Sequence, residues 1–436
     1  MSQNEIKFFA VVGISLSALG AIAFSAHLYM SNRHPQELEG SARLLSLSSP
    51  KDVQSKTNTE KAVLLNDPAV SHNWGLMGTN GASDIKASRA WQITQGSRDV
   101  VVAVIDTGID SKHEDLKNNL WKNPGETGFD SAGRDKATNG IDDDHNGYVD
   151  DVHGWNFVSE NNDLTDNHGH GTHVAGIVGA EGDNGVGISG VSPKVSIMVL
   201  KYYDPKARST DNLKNTIRAI QYATRMKAQI INYSGGGLDY SKDEFEAVKG
   251  ARDSGILFVA AAGNEKSNSD KSHYYPANYP LDNIISVTAI DPNTQVLKSS
   301  NWGIQTVDIA APGENIFSTL PDNKYGMMTG TSQATAFATG VAALIMANNK
   351  EFDYKQVRNQ IISTADEVKE IRGKARTSGK LNSWAALAMQ PMIPVTGIAA
   401  NSAPSANYQI SNDIGVPNQG TNSLREISNL LQSIAQ

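Results

Sequence analysis

Residues 100–110 read VVVAVIDTGID. The first six form an almost unbroken β-branched run with no polar alternation, as a strand buried on both faces of a parallel sheet requires. Asp106 ends the run, and Thr107-Gly108 turns the chain. Four later stretches share this texture: VSIMVL (195–200), QIINYS (229–234), ILFVAA (256–261) and IISVTAI (284–290). Between them the period changes. Leu213, Ile217, Ile220 and Ala223 recur at helical spacing within 210–227, and 241–253 and 332–348 behave alike. Strand–helix alternation predicts an α/β fold, a doubly wound and mostly parallel sheet with helices on both faces. Such sheets hold their sites at the carboxyl ends of the strands.

The chain has 436 residues, a formal net charge of -8 and no cysteine. Without a basic block, nucleic acid is excluded as a partner, since neutralising phosphates takes clustered Lys and Arg. The missing cysteine excludes a thiol nucleophile, disulfides and Cys-ligated zinc. Residues 8–26, FFAVVGISLSALGAIAFSA, follow Lys7 and are uncharged and mostly apolar. With small-x-small cleavage candidates near residues 21–25, they read as a signal peptide. An uncleaved membrane anchor and a buried helix are the alternatives. The expected organisation is a signal peptide or anchor over 1–26 and a polar leader over 27–66. A catalytic domain follows over 67–390, then a loosely ordered tail over 391–436 with a short helix at 423–434.

Three strand ends carry chemistry. Asp106 by itself reads as a turn-forming residue. NHGHGTHVAG (167–176) holds His168, His170 and His173. They make either a metal cage, with Asp166 as a weak further ligand, or one catalytic base with two bystanders. Ser332, in GTSQATAFATG (330–340), stands between a Gly-Thr turn and a small-residue helix, where an ordinary cap would also stand. Together, an Asp, a His and a Ser at strand–helix junctions are what acyl transfer needs. The Ser attacks, the His takes its proton, and the Asp fixes the tautomer and stabilises the imidazolium.

VVAVIDTGID, GHGTHVAGI and GTSQATAFATG, with INYSGGG and VAAAGNE between them, closely resemble the subtilisin-like serine proteases in order and spacing. The likeness covers about 67–388. It implies that Asp106, His170 and Ser332 form the triad, with Asn264 the side-chain donor of the oxyanion hole. His173 would pack behind His170, and His168 would be a bystander. Ser234, Gly235 and Gly236 resemble the edge that pairs with an extended substrate, and Ala262 and Gly263, in the stretch that resembles the oxyanion block, are expected to contact substrate too. Tyr274, just before Tyr275-Pro276-Ala277, takes the place at the floor of the primary specificity pocket, where family members often carry a small residue. Small or medium apolar side chains before the scissile bond are therefore expected, with Phe and Tyr handicapped, and Glu265 on the rim disfavours acidic ones. The Ser block departs from the family. Residues 333–339, QATAFAT, lack its Pro and following His. The leader is also short for an inhibitory prodomain.

NGIDDDHNGYVDD (139–151) sets Asp142, Asp144 and Asn146 at alternating positions before Gly147. With the Tyr148 carbonyl and Asp150 or Asp151, this spacing suits calcium, although His153 stands where an EF-hand loop has its bidentate Glu. A solvated acidic turn is the plain alternative. From the resemblance alone, Asp67, Asp115 and Asn184, with carbonyls of the 181–188 loop, match a second calcium site. Both ions would be structural, not catalytic. The expectation is an exported, monomeric serine endopeptidase, secreted or held in the periplasm or cell envelope. It would act on proteins or peptides and touch a membrane only through an uncleaved anchor. Its rivals are a weakly active binding protein on the same fold, suggested by the altered Ser block, and a metallohydrolase using the histidines.

Overall fold

The computed structural model describes residues 65–78, 83–207 and 211–389. The apolar segment 8–26, the leader up to residue 64 and the tail from residue 390, with its expected helix at 423–434, lie outside these residues. Among the described residues no helix is long and apolar enough to cross a membrane.

The buried run becomes β1 (Gly96–Asp106), and the other four apolar stretches become β3 (Lys194–Lys201), β4 (Ile230–Tyr233), β5 (Leu257–Ala261) and β6 (Ile284–Ile290). Four strands that the sequence pattern does not mark complete a nine-stranded sheet: β2 (Gly154–Asn156), β7 (Ile309–Pro312), β10 (Asp366–Glu367) and β11 (Gly379–Lys380). The order is β10-β11-β7-β6-β5-β4-β1-β3-β2, and every pair is parallel except β10–β11. β8 (Ile316–Leu320) and β9 (Lys324–Met328) form a separate antiparallel hairpin.

The helices are α1 (Ala87–Ala90), α2 (His170–Gly179), α3 (Asn212–Arg225), α4 (Lys242–Asp253), α5 (Thr331–Asn348), α6 (Tyr354–Ser363) and α7 (Ser383–Ala388). Successive side chains of a strand point to opposite faces. In β1, Val100, Val102 and Val104 join the core built with α2 and α5, while Ala103 and Ile105 join the core under α3 and α4. This parity turns Asp106 toward the face of α2 and α5. Beyond β1 the winding reverses: β3 lies on one side of it and β4 on the other. The crevice outside the carboxyl ends of β1 and β4 is the switch point where such sheets bind ligands.

Candidate active site

α2 starts hard against the turn that follows β1. A Cβ on Gly171 would collide with the Gly108 carbonyl oxygen, so only glycine allows this approach. The approach brings His170 Nδ1 to 2.7 Å from Asp106 Oδ1. The same carboxylate oxygen accepts from the Thr107 N–H at 2.8 Å. Burial pulls the His170 imidazole down, but the charge and hydrogen bond of Asp106, then the charge of Asp166, outweigh it and hold His170 above its ordinary value.

Asp166 is not a ligand in waiting. Its carboxylate accepts from Thr107 Oγ1 (2.8 Å), His168 N (3.0 Å), Gly169 N (2.8 Å), Thr172 N (2.9 Å) and Thr172 Oγ1 (2.7 Å). Burial works against its ionised form, yet these donors prevail and keep its carboxyl below the usual range. Asp166 thus ties the head of α2 to the turn after β1.

The three histidines do not converge. His173 is fully buried, and its Nε2 lies 2.9 Å from the Ile316 carbonyl and 3.2 Å from that of Gly326, bracing the β8–β9 hairpin. Burial pushes its imidazole down to about 4, so it stays neutral. His168 is exposed, its ring edge-on to His170 at 6.1 Å. Among the described residues the group of side chains able to share a metal ion lies elsewhere and contains no histidine.

Ser332 is the second residue of α5 and 7% exposed. Its N–H is one of those that a helix start leaves without an intrahelical partner. Its Oγ donates to the Ser234 carbonyl at 3.2 Å, and no hydrogen bond joins it to His170. Asn264 caps the same helix, its Oδ1 accepting from Thr331 N–H at 3.1 Å. Since a backbone N–H can only donate, the amide nitrogen of Asn264 is the end left free. The pairing of β4 with both neighbours stops at Tyr233, so Ser234, Gly235 and Gly236 present an unpaired edge before Gly237 bridges Tyr275.

Tyr274 is buried, and its ring lies between two glycines. A Cβ on Gly236 would sit 2.5 Å from Tyr274 Cε1, and one on Gly263 would sit 2.9 Å from Cδ2. Ala262 is fully buried in the adjoining core. Gln333, next to Ser332, is 1% exposed, and its Nε2 has no protein partner.

The acidic loop gathers around a residue the sequence did not suggest. Glu126 sits at the end of a short 3-10 turn, fully buried, and it meets Asp142 and Asp144 with ligand oxygens all within 4.8 Å of one another. Its Oε1 accepts from Asp143 N–H at 2.7 Å, while its Oε2 is buried without a donor. The other loop residues are engaged in hydrogen bonds within the loop. Asn146 gives its amide N–H groups to Asp144 (3.2 Å) and Asp151 (2.9 Å), and its Oδ1 accepts from Tyr148 N–H (2.8 Å). Asp150 accepts from Gly140 N–H at 3.1 Å. Burial pushes the Asp151 carboxyl up to about 6. Asp67 and Asp115 do meet the 183–188 loop. Asp67 accepts from Asp183 N (3.0 Å) and Asn184 N (3.1 Å). Asp115 accepts from Asn184 Nδ2 (2.9 Å), Ile188 N (2.8 Å) and the Tyr325 hydroxyl (2.9 Å).

The profile described as "Subtilase family" matches residues 97–385. Thermitase of Thermoactinomyces vulgaris is 32% identical over 307 residues, 70% of this chain and 95% of that protein. The "Major intracellular serine protease" of Bacillus subtilis (strain 168) is 35% identical over 273 residues, 62% of this chain and 76% of that protein. "Subtilisin-like protease 1" of Plasmodium berghei (strain Anka) is 29% identical over 348 residues, 76% of this chain. The chain spans 56% of the length of that last relative. A profile that runs from the start of β1 into α7 takes in the sheet, and the chain belongs to the subtilase family, a family of serine endopeptidases.

Proposed function

We propose that the protein is an exported serine endopeptidase that cleaves peptide bonds through an acyl-enzyme on Ser332. The observation that carries this reading is the 2.7 Å hydrogen bond between His170 Nδ1 and Asp106, formed beside the start of α5, whose second residue is Ser332. The substrate lies extended along Ser234–Gly236 and completes the edge left open there. Ser332 Oγ turns from the Ser234 carbonyl to His170 Nε2, gives up its proton and attacks the carbonyl carbon. The Ser332 N–H and the Asn264 amide nitrogen receive the oxyanion. As the tetrahedral adduct collapses, the C–N bond breaks and the imidazolium protonates the leaving amine. Water, deprotonated by His170, then releases the acid and restores the serine.

Tyr274 gives the site its preference. With its ring between Gly236 and Gly263, a pocket at this place is shallow and suits small or medium apolar side chains better than Phe or Tyr. A peptide series varied before the scissile bond tests this, with Tyr274→Gly expected to bring Phe up the ranking. An unchanged ranking with Phe already best contradicts it. Glu126, Asp142 and Asp144 have the hard oxygens that calcium takes, and the donorless Glu126 Oε2 fits a cation there. Bound, the ion would supply stability, not chemistry. Asp67, Asp115 and Asn184 remain the candidate second site. Export rests on residues 8–26 alone, and one relative carries the word intracellular in its name. N-terminal sequencing of protein recovered outside the cell tests it. Hydrolysis of an unfolded protein by wild type, lost in Ser332→Ala, tests the endopeptidase reading as a whole.

A further inference from the structure

We infer that a cavity beside the substrate edge selects a positively charged side chain, because its wall carries a buried carboxylate that has no counter-ion among the described residues. The cavity, about 290 Å³, is lined by Gly236 and Gly237 on the edge side and by Tyr202, Leu213, Tyr233 and Glu244 across from it. That is room for one side chain rather than for a drug-sized ligand.

Glu244 lies in the first turn of α4 and is 4% exposed. A glutamate there is ordinary when it is solvated, since the helix start favours negative charge. A buried one is not, because ionised carboxylates are seldom buried unpaired. Among the described residues Glu244 has no ion pair. Its one side-chain partner is the Tyr279 hydroxyl, 2.8 Å from Oε2. That hydroxyl also lies 2.9 Å from the Ser241 carbonyl, and a phenol has a single proton for the two acceptors. Among the described residues Oε1 has no donor. A guanidinium or ammonium entering the cavity supplies both the missing charge and the missing hydrogens, and it meets the rings of Tyr202 and Tyr233, which favour cations over their faces.

The place of this side chain in the substrate follows from strand geometry. Ser234 marks the reacting end, since its carbonyl meets Ser332 Oγ. An extended chain advances about 3.3 Å per residue, so a cavity at Gly236–Gly237 serves a side chain within about four residues of the scissile bond. The inference rests on reading 234–236 as the edge that pairs with substrate.

The test is a peptide scan with Arg, Leu or Glu placed in turn at each of those positions. Wild type should prefer Arg to Leu by about tenfold or more in kcat/KM at one position, with Glu the poorest residue there. In Glu244→Gln, which keeps the shape and an oxygen for Tyr279, the Arg-to-Leu ratio should fall to about one, the value expected once no charge distinguishes them. No Arg preference at any position in wild type overturns the inference, and so does a preference that survives in Glu244→Gln. If that variant does not fold, the wild-type scan still decides. Cleavage that persists in Ser332→Ala would instead sink the serine-protease reading.

Discussion

Asp166 and Glu126 are both buried carboxylates beside a candidate site, and their surroundings are opposite. Asp166 receives donors from Thr107, His168, Gly169 and Thr172, and its carboxyl is held below the usual range despite burial. Glu126 faces Asp142 and Asp144, has one oxygen without a donor, and is pushed up, first by burial and then by the charges of Asp151 and Asp144. The turn at the head of α2 is satisfied by donors of its own. In the acidic loop, among the described residues, Glu126 Oε2 has no donor. The first carboxylate is satisfied by its own donors; the second, on the reading proposed above, takes an ion.

The sharpest break in this contrast comes from the reacting end. Ser332→Ala or His170→Ala should each lower kcat by about 10⁴ or more, on the scale set by the same substitutions in subtilisin. Asn264→Ala should cost about 10²–10³, again the subtilisin scale, measured as kcat on one peptide. His168→Ala should leave the rate nearly unchanged; a large loss there would revive a role for the exposed imidazole.

The loop should respond to ions and not to substrate. If calcium is present at a hundred times its Kd, binding stabilises the fold by about 2.7 kcal/mol. A chelator should therefore lower the melting temperature, and Asp144→Ala or Glu126→Gln should remove most of that response. Identical melting curves with and without chelator would break the contrast.

The smallest effect concerns pH. His170 must be neutral to take a proton, so activity falls as pH drops through its pKa. The groups that bear on it are Asp106 and Asp166, which favour the imidazolium, with His173 behind it and His168 beside it. Removing the charge in Asp166→Asn should move the acid limb of kcat/KM to lower pH. A limb that stays in place would show that Asp166 acts through the backbone alone.

Much of this architecture is legible in the sequence. The apolar runs mark β1, β3, β4, β5 and β6 because strands covered on both faces have no polar positions to blur them. The helices over 212–225, 242–253 and 331–348 follow from their period. β10 and β11, two residues each, and β2, three residues long, are too short to carry a period and exist through their neighbours. Asp106, His170 and Ser332 are readable because Asp106 ends β1, His170 starts α2 and Ser332 is the second residue of α5. Glu126 is not, since folding alone brings it to Asp142 and Asp144. Glu244 looks like any glutamate in the first turn of a helix, and only its burial sets it apart. Asp166 reads from the sequence as a weak metal ligand; its donors come from turns whose geometry the sequence does not display.

The central claim is that Ser332 is a nucleophile activated by His170. A fluorophosphonate probe with mass-spectrometric mapping tests it most directly, because the reagent reacts with an activated serine and ignores an ordinary helix cap. One label per chain, on the peptide containing Ser332 and absent from His170→Ala, is the predicted result. Folded wild-type protein that stays unlabelled, or a label that maps to another residue, would contradict it.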